Sequence, residues 1–522
     1  MSLPTPLTRR EFVMRLGGGA LAGLTALGLM SRASGQGVAL DGLTPVDSRK
    51  AKKVVILGAG IAGLTAAYEL QKLGIESVII EPRAKVGGRC ITIRKGDVIE
   101  ETNGYKQTCQ FDEGQYFNPG PARFPQWHVT MDYCRELGVP IQPFLAVNEN
   151  AWFYNEGEGL GPLSGQRIRQ REAKADLRGY AAELLAKCVD QDKLDQPLSA
   201  EDKERLLDFL TYEGQLGRGN RFSGGTRRGF DVWPGAGLQE GEMGEPNKMD
   251  ALLQSEVWKF FHRANEYEYQ AQMFTPVGGM DNIAHALAKQ VSNKIILGAK
   301  VKEFRHTNPG IRVVYEENGV DKEITGDFGI VTIPPTILRK LPNDFSPMLK
   351  NTLNVVPFQN SNRIGLQFKR RFWEEDDRIF GGITWTNQPI GEIYYPSEGF
   401  YEKKGVLVGY YIFGPVSDEL GRKTPEERLE FALSQGEKIH PQYRKEFDNA
   451  VSFNWSTTPH IEGCLAHFPK AMMKTFYPLL IKPEQETYIA ASWATHLGGW
   501  QAGAFEAARL TVKSIYDRIQ AA

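Results

Sequence analysis

The chain has 522 residues, 41% of them hydrophobic and 24% charged, which is enough for two or three globular domains. Its formal net charge of −1 excludes the dense basic face that a nucleic-acid partner requires. The five cysteines (Cys90, Cys109, Cys134, Cys188 and Cys464) form neither a disulfide-framework spacing nor a Cys-x-x-Cys pair, so no metal site is expected.

Residues 1–35 stand apart from the rest. Thr8, Arg9, Arg10, Glu11 and Phe12 precede an apolar run from Leu16 to Met30 that contains five glycines, followed by Ser31, Arg32, Ala33, Ser34 and Gly35. The run is short for a bilayer span and rich in glycine, so no stable membrane insertion is expected. The segment resembles a twin-arginine export signal, which implies the twin-arginine machinery as a partner and a periplasmic or secreted destination.

Residues 52–100 read as a nucleotide-binding unit. The apolar run 53–57 suits a buried parallel strand, and Gly58-Ala59-Gly60-Ile61-Ala62-Gly63 turns it sharply into a helix. Gly58 permits the turn, Gly60 admits a pyrophosphate to the backbone, and Gly63 lets the helix pack on the strand. Ile61 and Ala62 open the helix at its partially positive end. The helix runs through Leu64, Ala67, Tyr68 and Leu70 to Leu73, and Gly74 ends it. A second strand, Ser77–Ile80, delivers Glu81, whose carboxylate can accept from both ribose hydroxyls of an adenosine and disfavours a 2′-phosphate.

Beyond this unit, residues 104–150 combine polar turns with a helix near Gln126–Leu137. Residues 151–268 read as a helical insert. Within it Leu177, Ala181, Leu184, Leu185 and Cys188 are expected on one buried face, and Ser199 with Asp202 opens a helix through Leu206, Leu207 and Leu210. The glycine-rich stretch Gly214–Gly244 reads as a long surface or active-site loop. Residues 272–345 return to the nucleotide unit: Pro276-Val277-Gly278-Gly279-Met280 precedes a helix, with strands at Ile295–Leu297 and Val301–Phe304 and alternation over 311–333. In 350–470, Ile364–Phe368, Ile393–Tyr395 and Val406–Ile412 read as strands of a second sheet. In 484–522, the strand Tyr488–Ala491 is followed by Gly498-Gly499-Trp500-Gln501-Ala502-Gly503-Ala504, which opens a terminal helix.

The run Glu81-Pro82-Arg83-Ala84-Lys85-Val86-Gly87-Gly88-Arg89 resembles the second half of the FAD-binding signature of the flavin amine oxidase superfamily, and the chain from 52 onward resembles its L-amino-acid oxidases. The resemblance implies an α/β fold, with a Rossmann-like FAD-binding domain interleaved with a mixed-sheet substrate domain and a helical insert. It implies FAD as cofactor, with Arg89 near the phosphates and Val301 meeting the adenine. Gly120, Pro121, Ala122, Ser492, Gly499, Trp500, Gln501 and Ala502 would line the same groove. Arg123, in Gly120-Pro121-Ala122-Arg123-Phe124-Pro125, matches the arginine that grips a substrate carboxylate. The chemistry asks for such a fork, since two parallel N–H bonds fix a planar carboxylate and so aim the neighbouring Cα hydrogen. Tyr410 matches a second carboxylate donor, with Tyr411 one residue away and facing the other side of the strand. The Gly499 carbonyl matches an acceptor of the substrate amine, and Trp500 an aromatic wall, with His496 a polar group near the entrance.

Two positions depart from the pattern. Arg363 stands where the family has a lysine near the flavin; arginine stays protonated and can orient water but not act as a base. Ala491-Ser492 replaces a Gly-Glu pair. The implied reaction is oxidation of an L-amino acid to a 2-oxo acid, with release of ammonium and reduction of dioxygen to hydrogen peroxide, and a homodimer is a family expectation. An amino-acid 2-monooxygenase, a monoamine or polyamine oxidase, and a flavin-holding binding protein without turnover remain alternatives. The substrate side chain stays open: acids such as Asp231 and Glu392 suit a basic one, and aromatics such as Trp233, Trp385 and Trp455 an apolar one.

Overall fold

A computed structural model of the chain describes residues 38–522, so the twin-arginine segment lies outside the described residues. A five-stranded parallel sheet is ordered 295–297, 76–81, 53–57, 328–331, 487–489, so stretches far apart in sequence lie side by side. Val54, Val55, Ile56 and Leu57 are all essentially unexposed, as expected of a parallel strand covered on both faces. Leu57 pairs with both Ile80 and Val331, which aligns the strand ends and leaves Gly58, Glu81 and Thr332 at one rim. Binding crevices form at this edge of open α/β sheets. The helix Ile61–Lys72 and the C-terminal helix Gln501–Ala521 share one apolar core, in which Leu64, Ala67, Ala508 and Val512 are buried. The alternating stretch from 311 resolves into an antiparallel meander, Ala299–His306 with Ile311–Glu317 and Val320–Gly326, before Phe328–Val331 joins the parallel sheet.

A seven-stranded mixed sheet faces the rim, ordered 447–454, 361–368, 405–413, 392–394, 383–386, 152–154, 167–169. Its last two strands, Trp152–Tyr154 and Arg167–Arg169, fall in the segment read as a helical insert. The three consecutive aromatics are all buried and suit a pleated strand; apart from a 3₁₀ turn at Gly161–Leu163, helix begins only at Gln170. In that helix, Gln170–Asp190, the expected face is also different. Leu184, Leu185 and Cys188 are exposed, and Ala173, Gly179, Ala182, Ala186 and Val189 turn inward. Small residues win because the neighbouring elements come so close: a Cβ at Gly179 would lie 2.3 Å from the Phe222 ring, and one at Gly214 would lie 2.5 Å from Ala182. Ser199 caps the helix Ala200–Gly214 by accepting from the Asp202 amide, as its spacing predicts. The glycine-rich stretch lies on the surface, with Trp233 and Leu238 exposed. Among the described residues, no helix is long and apolar enough to cross a membrane, and no cluster of metal-ligating side chains occurs.

Candidate active site

A cavity of about 370 Å³ runs between the rim of the parallel sheet and the mixed sheet. At one end it is a phosphate cradle. Gly58 has φ +110°, and a Cβ at Gly63 would lie 2.0 Å from the Gly58 carbonyl oxygen, so turn and helix meet without room for a side chain. Glu81 accepts from the Ala59 amide at 2.8 Å, closing the strand end onto the turn, and also from the Arg83 backbone and side chain. Gly58, Gly60, Ile61, Ala62, Glu81, Arg89 and Val301 line this end, whereas Gly63 sits behind it as a packing residue. Arg89 donates to the Cys464 carbonyl and, at 2.7 Å, to Ser492 Oγ. Ser492 thus anchors the arginine at the position where the resemblance implies an acid. The crowded glycines, an acid at the second strand end and a fixed guanidinium fit the adenosine and diphosphate of FAD.

The other end is aromatic and cationic. Gly120, Pro121, Ala122, Arg123, Arg363, Tyr411, Trp455, Gly499, Trp500 and Gln501 line it. A Cβ at Gly120 would lie 2.2 Å from the Arg89 carbonyl oxygen, which ties the clamp loop to the phosphate end. Nothing lies within 4 Å of a Cβ placed at Gly499, so its backbone opens directly into the cavity. Gln501 donates to Cys90 Sγ, and Ala502 is buried one residue further along the helix, off the cavity wall.

Arg123 is buried. Its Nη2 donates to Tyr269 Oη at 2.6 Å, and its guanidinium lies 5.1, 5.6 and 5.6 Å from the rings of Tyr269, Tyr394 and Trp500. Its Nε has no hydrogen-bond partner among the described residues. Burial alone would lower its pKa, but Tyr269, Tyr394, Tyr411 and Glu392 outweigh that and hold the charge on it.

Tyr410 does not reach the site. It is fully buried on the opposite face of its strand, edge-on to Phe431, and its hydroxyl has no partner among the described residues. Tyr411 is the residue on the cavity wall, with the Arg363 guanidinium 3.6 Å from its ring centroid. The register of this strand against Ser361–Phe368 shifts between Ile364 and Gly365, and Arg363 pairs with Tyr411, so both share one face. Arg363 donates to the carbonyls of Gly120 and, at 3.2 Å, Asn118, which pins it as a fixed cation.

Glu392 accepts from Tyr394 Oη at 3.1 Å, and burial pushes its pKa up to about 7 against the pull of Arg123. Asp231 and Trp233 are exposed on the surface loop, away from the cavity. Trp385 is half-buried on Phe260, and Trp455 donates to the Pro119 carbonyl at 3.0 Å. His496 stacks on Tyr477 and is off the cavity wall. Sequence reasoning missed three neighbours: Tyr269, Tyr394 and His128, whose ring lies edge-on to Trp500 at 5.2 Å and whose pKa burial lowers to about 4. Tyr269 and Tyr394 reach the site from elements distant in sequence, so no local motif marks them, and His128, five residues after Arg123, meets Trp500 only through the packing of the C-terminal segment.

The family described as flavin containing amine oxidoreductase matches residues 61–515. The chain belongs to that family. Its cofactor is FAD. The oxidoreductase is similar to the L-amino-acid oxidase of Notechis scutatus scutatus, with 25% identity over 483 residues, covering 89% of this chain and 86% of that protein. It has the same identity, over 489 residues and with the same two coverages, to the L-amino acid oxidase bordonein-L of Crotalus durissus terrificus. In fold it is similar to cyclohexylamine oxidase from Brevibacterium oxydans, with TM-score 0.59 and 15% identity over 90% of this chain and 100% of that one. Putrescine oxidase bound to putrescine gives TM-score 0.59 and 17% identity over 89% and 99%.

Proposed function

We propose that this flavin-dependent amine oxidoreductase oxidises L-amino acids to 2-oxo acids, releasing ammonium and passing electrons to dioxygen to form hydrogen peroxide. The observation that carries this reading is the buried Arg123 in the cavity wall, whose one side-chain hydrogen bond among the described residues goes to a neutral phenol. Its Nε is left without a partner among the described residues, and a buried guanidinium with open donors is completed by an anion such as the α-carboxylate of an amino acid. The similar L-amino-acid oxidases add support.

Bound FAD supplies the two-electron acceptor. In this reading Arg123 grips the carboxylate with its remaining N–H groups and the Tyr411 hydroxyl adds a donor beside it. The Gly499 carbonyl accepts from the amine, and Trp455 and Trp500 keep water from the reacting carbon. Arg363, locked on two carbonyls, orients water and takes no proton. Oxidation of simple amines, as named for the cyclohexylamine and putrescine oxidases, draws on fold likeness and leaves Arg123 without a role.

The test is an anaerobic panel of the twenty amino acids and their decarboxylated amines, followed by flavin bleaching, with 2-oxo acid and peroxide measured in air. Bleaching by amines as fast as by amino acids, or amide and carbon dioxide as products, would overturn the reading. We also propose export by the twin-arginine route, supported by Arg9, Arg10 and the glycine-rich apolar run after them. Replacing both with lysine should hold the flavoprotein in the cytoplasm.

A further inference from the structure

We infer that Tyr269 is a third member of the carboxylate clamp, a substrate-binding residue supplied by the segment that covers the cavity. The inference rests on the amino-acid oxidase reading and names a group that reading does not use. Tyr269 lies in the connection between the 3₁₀ helix Val257–Asn265 and the strand Gln272–Pro276, and with Glu268 it forms part of the cavity wall. Two of its contacts orient this connection. Tyr267 places its ring 4.7 Å from Trp127, and the Tyr269 amide donates to the Glu266 carbonyl at 2.8 Å, which turns the chain and directs Tyr269 inward. Inside, Tyr269 meets Arg123 at 2.6 Å and lies edge-on to Trp500 at 6.4 Å.

The direction of that hydrogen bond decides what Tyr269 can do. Arginine only donates, so the phenol oxygen is the acceptor and its own proton remains free to donate elsewhere. A carboxylate only accepts. An anion bound on the remaining N–H groups of Arg123 therefore lies beside a hydroxyl that the same guanidinium holds in place. Across the site, Tyr411 is held by Arg363 stacked on its ring. The carboxylate thus meets one cation and two phenols from separate parts of the fold, each pre-oriented by an arginine, which lowers the ordering cost of binding. The clamp selects for a free carboxylate, since an amide in its place would present an NH₂ to donors at one of its two positions.

The test uses the holoenzyme and benzoate as a non-reacting carboxylate, titrated by calorimetry and by its effect on the flavin spectrum, with benzamide as the uncharged control. Tyr269→Phe is expected to weaken benzoate by about 10-fold or more, the loss of one hydrogen bond to a charged group, and to leave benzamide unchanged. Tyr267→Phe, which alters the same segment away from the cavity, is expected to match the wild type. Tyr269→His keeps a ring donor and should fall between the two, and it replaces the phenylalanine variant if that variant fails to retain flavin. Equal benzoate affinity in Tyr269→Phe and wild type, or parallel losses for benzoate and benzamide, would overturn the inference, as would a wild type that binds no benzoate. If no amino acid bleaches the flavin, the oxidase reading falls, while the benzoate titration still judges Tyr269.

Discussion

Replacing Arg123 with methionine should separate function from folding. The substitution keeps much of the apolar stem and removes the fork. For a substrate carboxylate desolvated in this cavity, losing one partner of a hydrogen-bonded charge pair costs about 2–5 kcal/mol, or roughly 30- to 5,000-fold in kcat/KM. Stability should respond much less. Arg123 gives one side-chain hydrogen bond among the described residues, to a half-buried tyrosine that also faces the cavity, so at pH 6, below the value of about 7 at which Glu392 ionises, its loss strands no charged carboxylate. The desolvation penalty of the cation disappears together with the attractions that outweigh it, so the net change is small. Arg428 is the contrast: fully buried, it holds Glu101 with one bond of 2.9 Å in a bidentate pair, and truncating it would leave that carboxylate with the Thr457 hydroxyl but no cation, at a cost of about 3–5 kcal/mol. Stopped-flow reduction and steady-state assays on an L-amino acid and its carboxamide, with thermal melting of each variant, measure both effects. Arg123→Met should lose activity on the acid alone and melt close to the wild-type temperature. Equal losses on acid and amide, or a melting drop like that of Arg428→Met, would refute the reasoning.

The two adjacent tyrosines should behave oppositely. Tyr411→Phe should raise KM for amino acids about 10-fold by removing a donor to a charged group, whereas Tyr410→Phe, which deletes a buried unpartnered hydroxyl, should leave kinetics unchanged and melt no lower than wild type. The glycine pair separates cofactor binding from folding: Gly63→Ala drives a methyl to 2.0 Å from a backbone oxygen and should lower the melting temperature even of apoprotein. Gly60→Ala meets nothing nearer than 3.7 Å and should keep the fold while losing bound FAD, read from the flavin-to-protein absorbance ratio. Glu392, with its pKa raised by burial to about 7, should lose a proton as pH rises through that value and place a negative charge beside the clamp. Benzoate affinity should therefore fall between pH 6 and 8 in the wild type and stay flat in Glu392→Gln. The sign for stability is the same: above its ordinary range and below about 7 the folded state holds a proton the unfolded chain has released, so raising pH across this window destabilises, and Glu392→Gln should remove that slope.

The nucleotide end was legible in the sequence because its constraints are local. A strand, a turn that excludes side chains, a helix start and an acid at the next strand end follow within about thirty residues, and the structure realises them at Lys53–Leu57, Gly58, Ile61 and Glu81. The aromatic run 152–154 and the inward face of Gln170–Asp190 were read less well. Neighbours set the outcome there: a strand edge waiting at Ile383–Thr386, and packing so close that alanine and glycine displace leucine from the buried side.

By itself the sequence determined the cofactor end, the strand and helix order around it, and the presence of an arginine suited to a carboxylate at position 123. Tertiary structure alone decided which tyrosine shares the cavity with that arginine, through a one-residue register shift that no pattern of period two reveals. It also decided that Tyr269, 146 residues away, closes on the same guanidinium. Backbone chemistry acts between near neighbours and can be read along the chain, whereas a binding site is made by side chains that meet only when separate sheets and loops have packed.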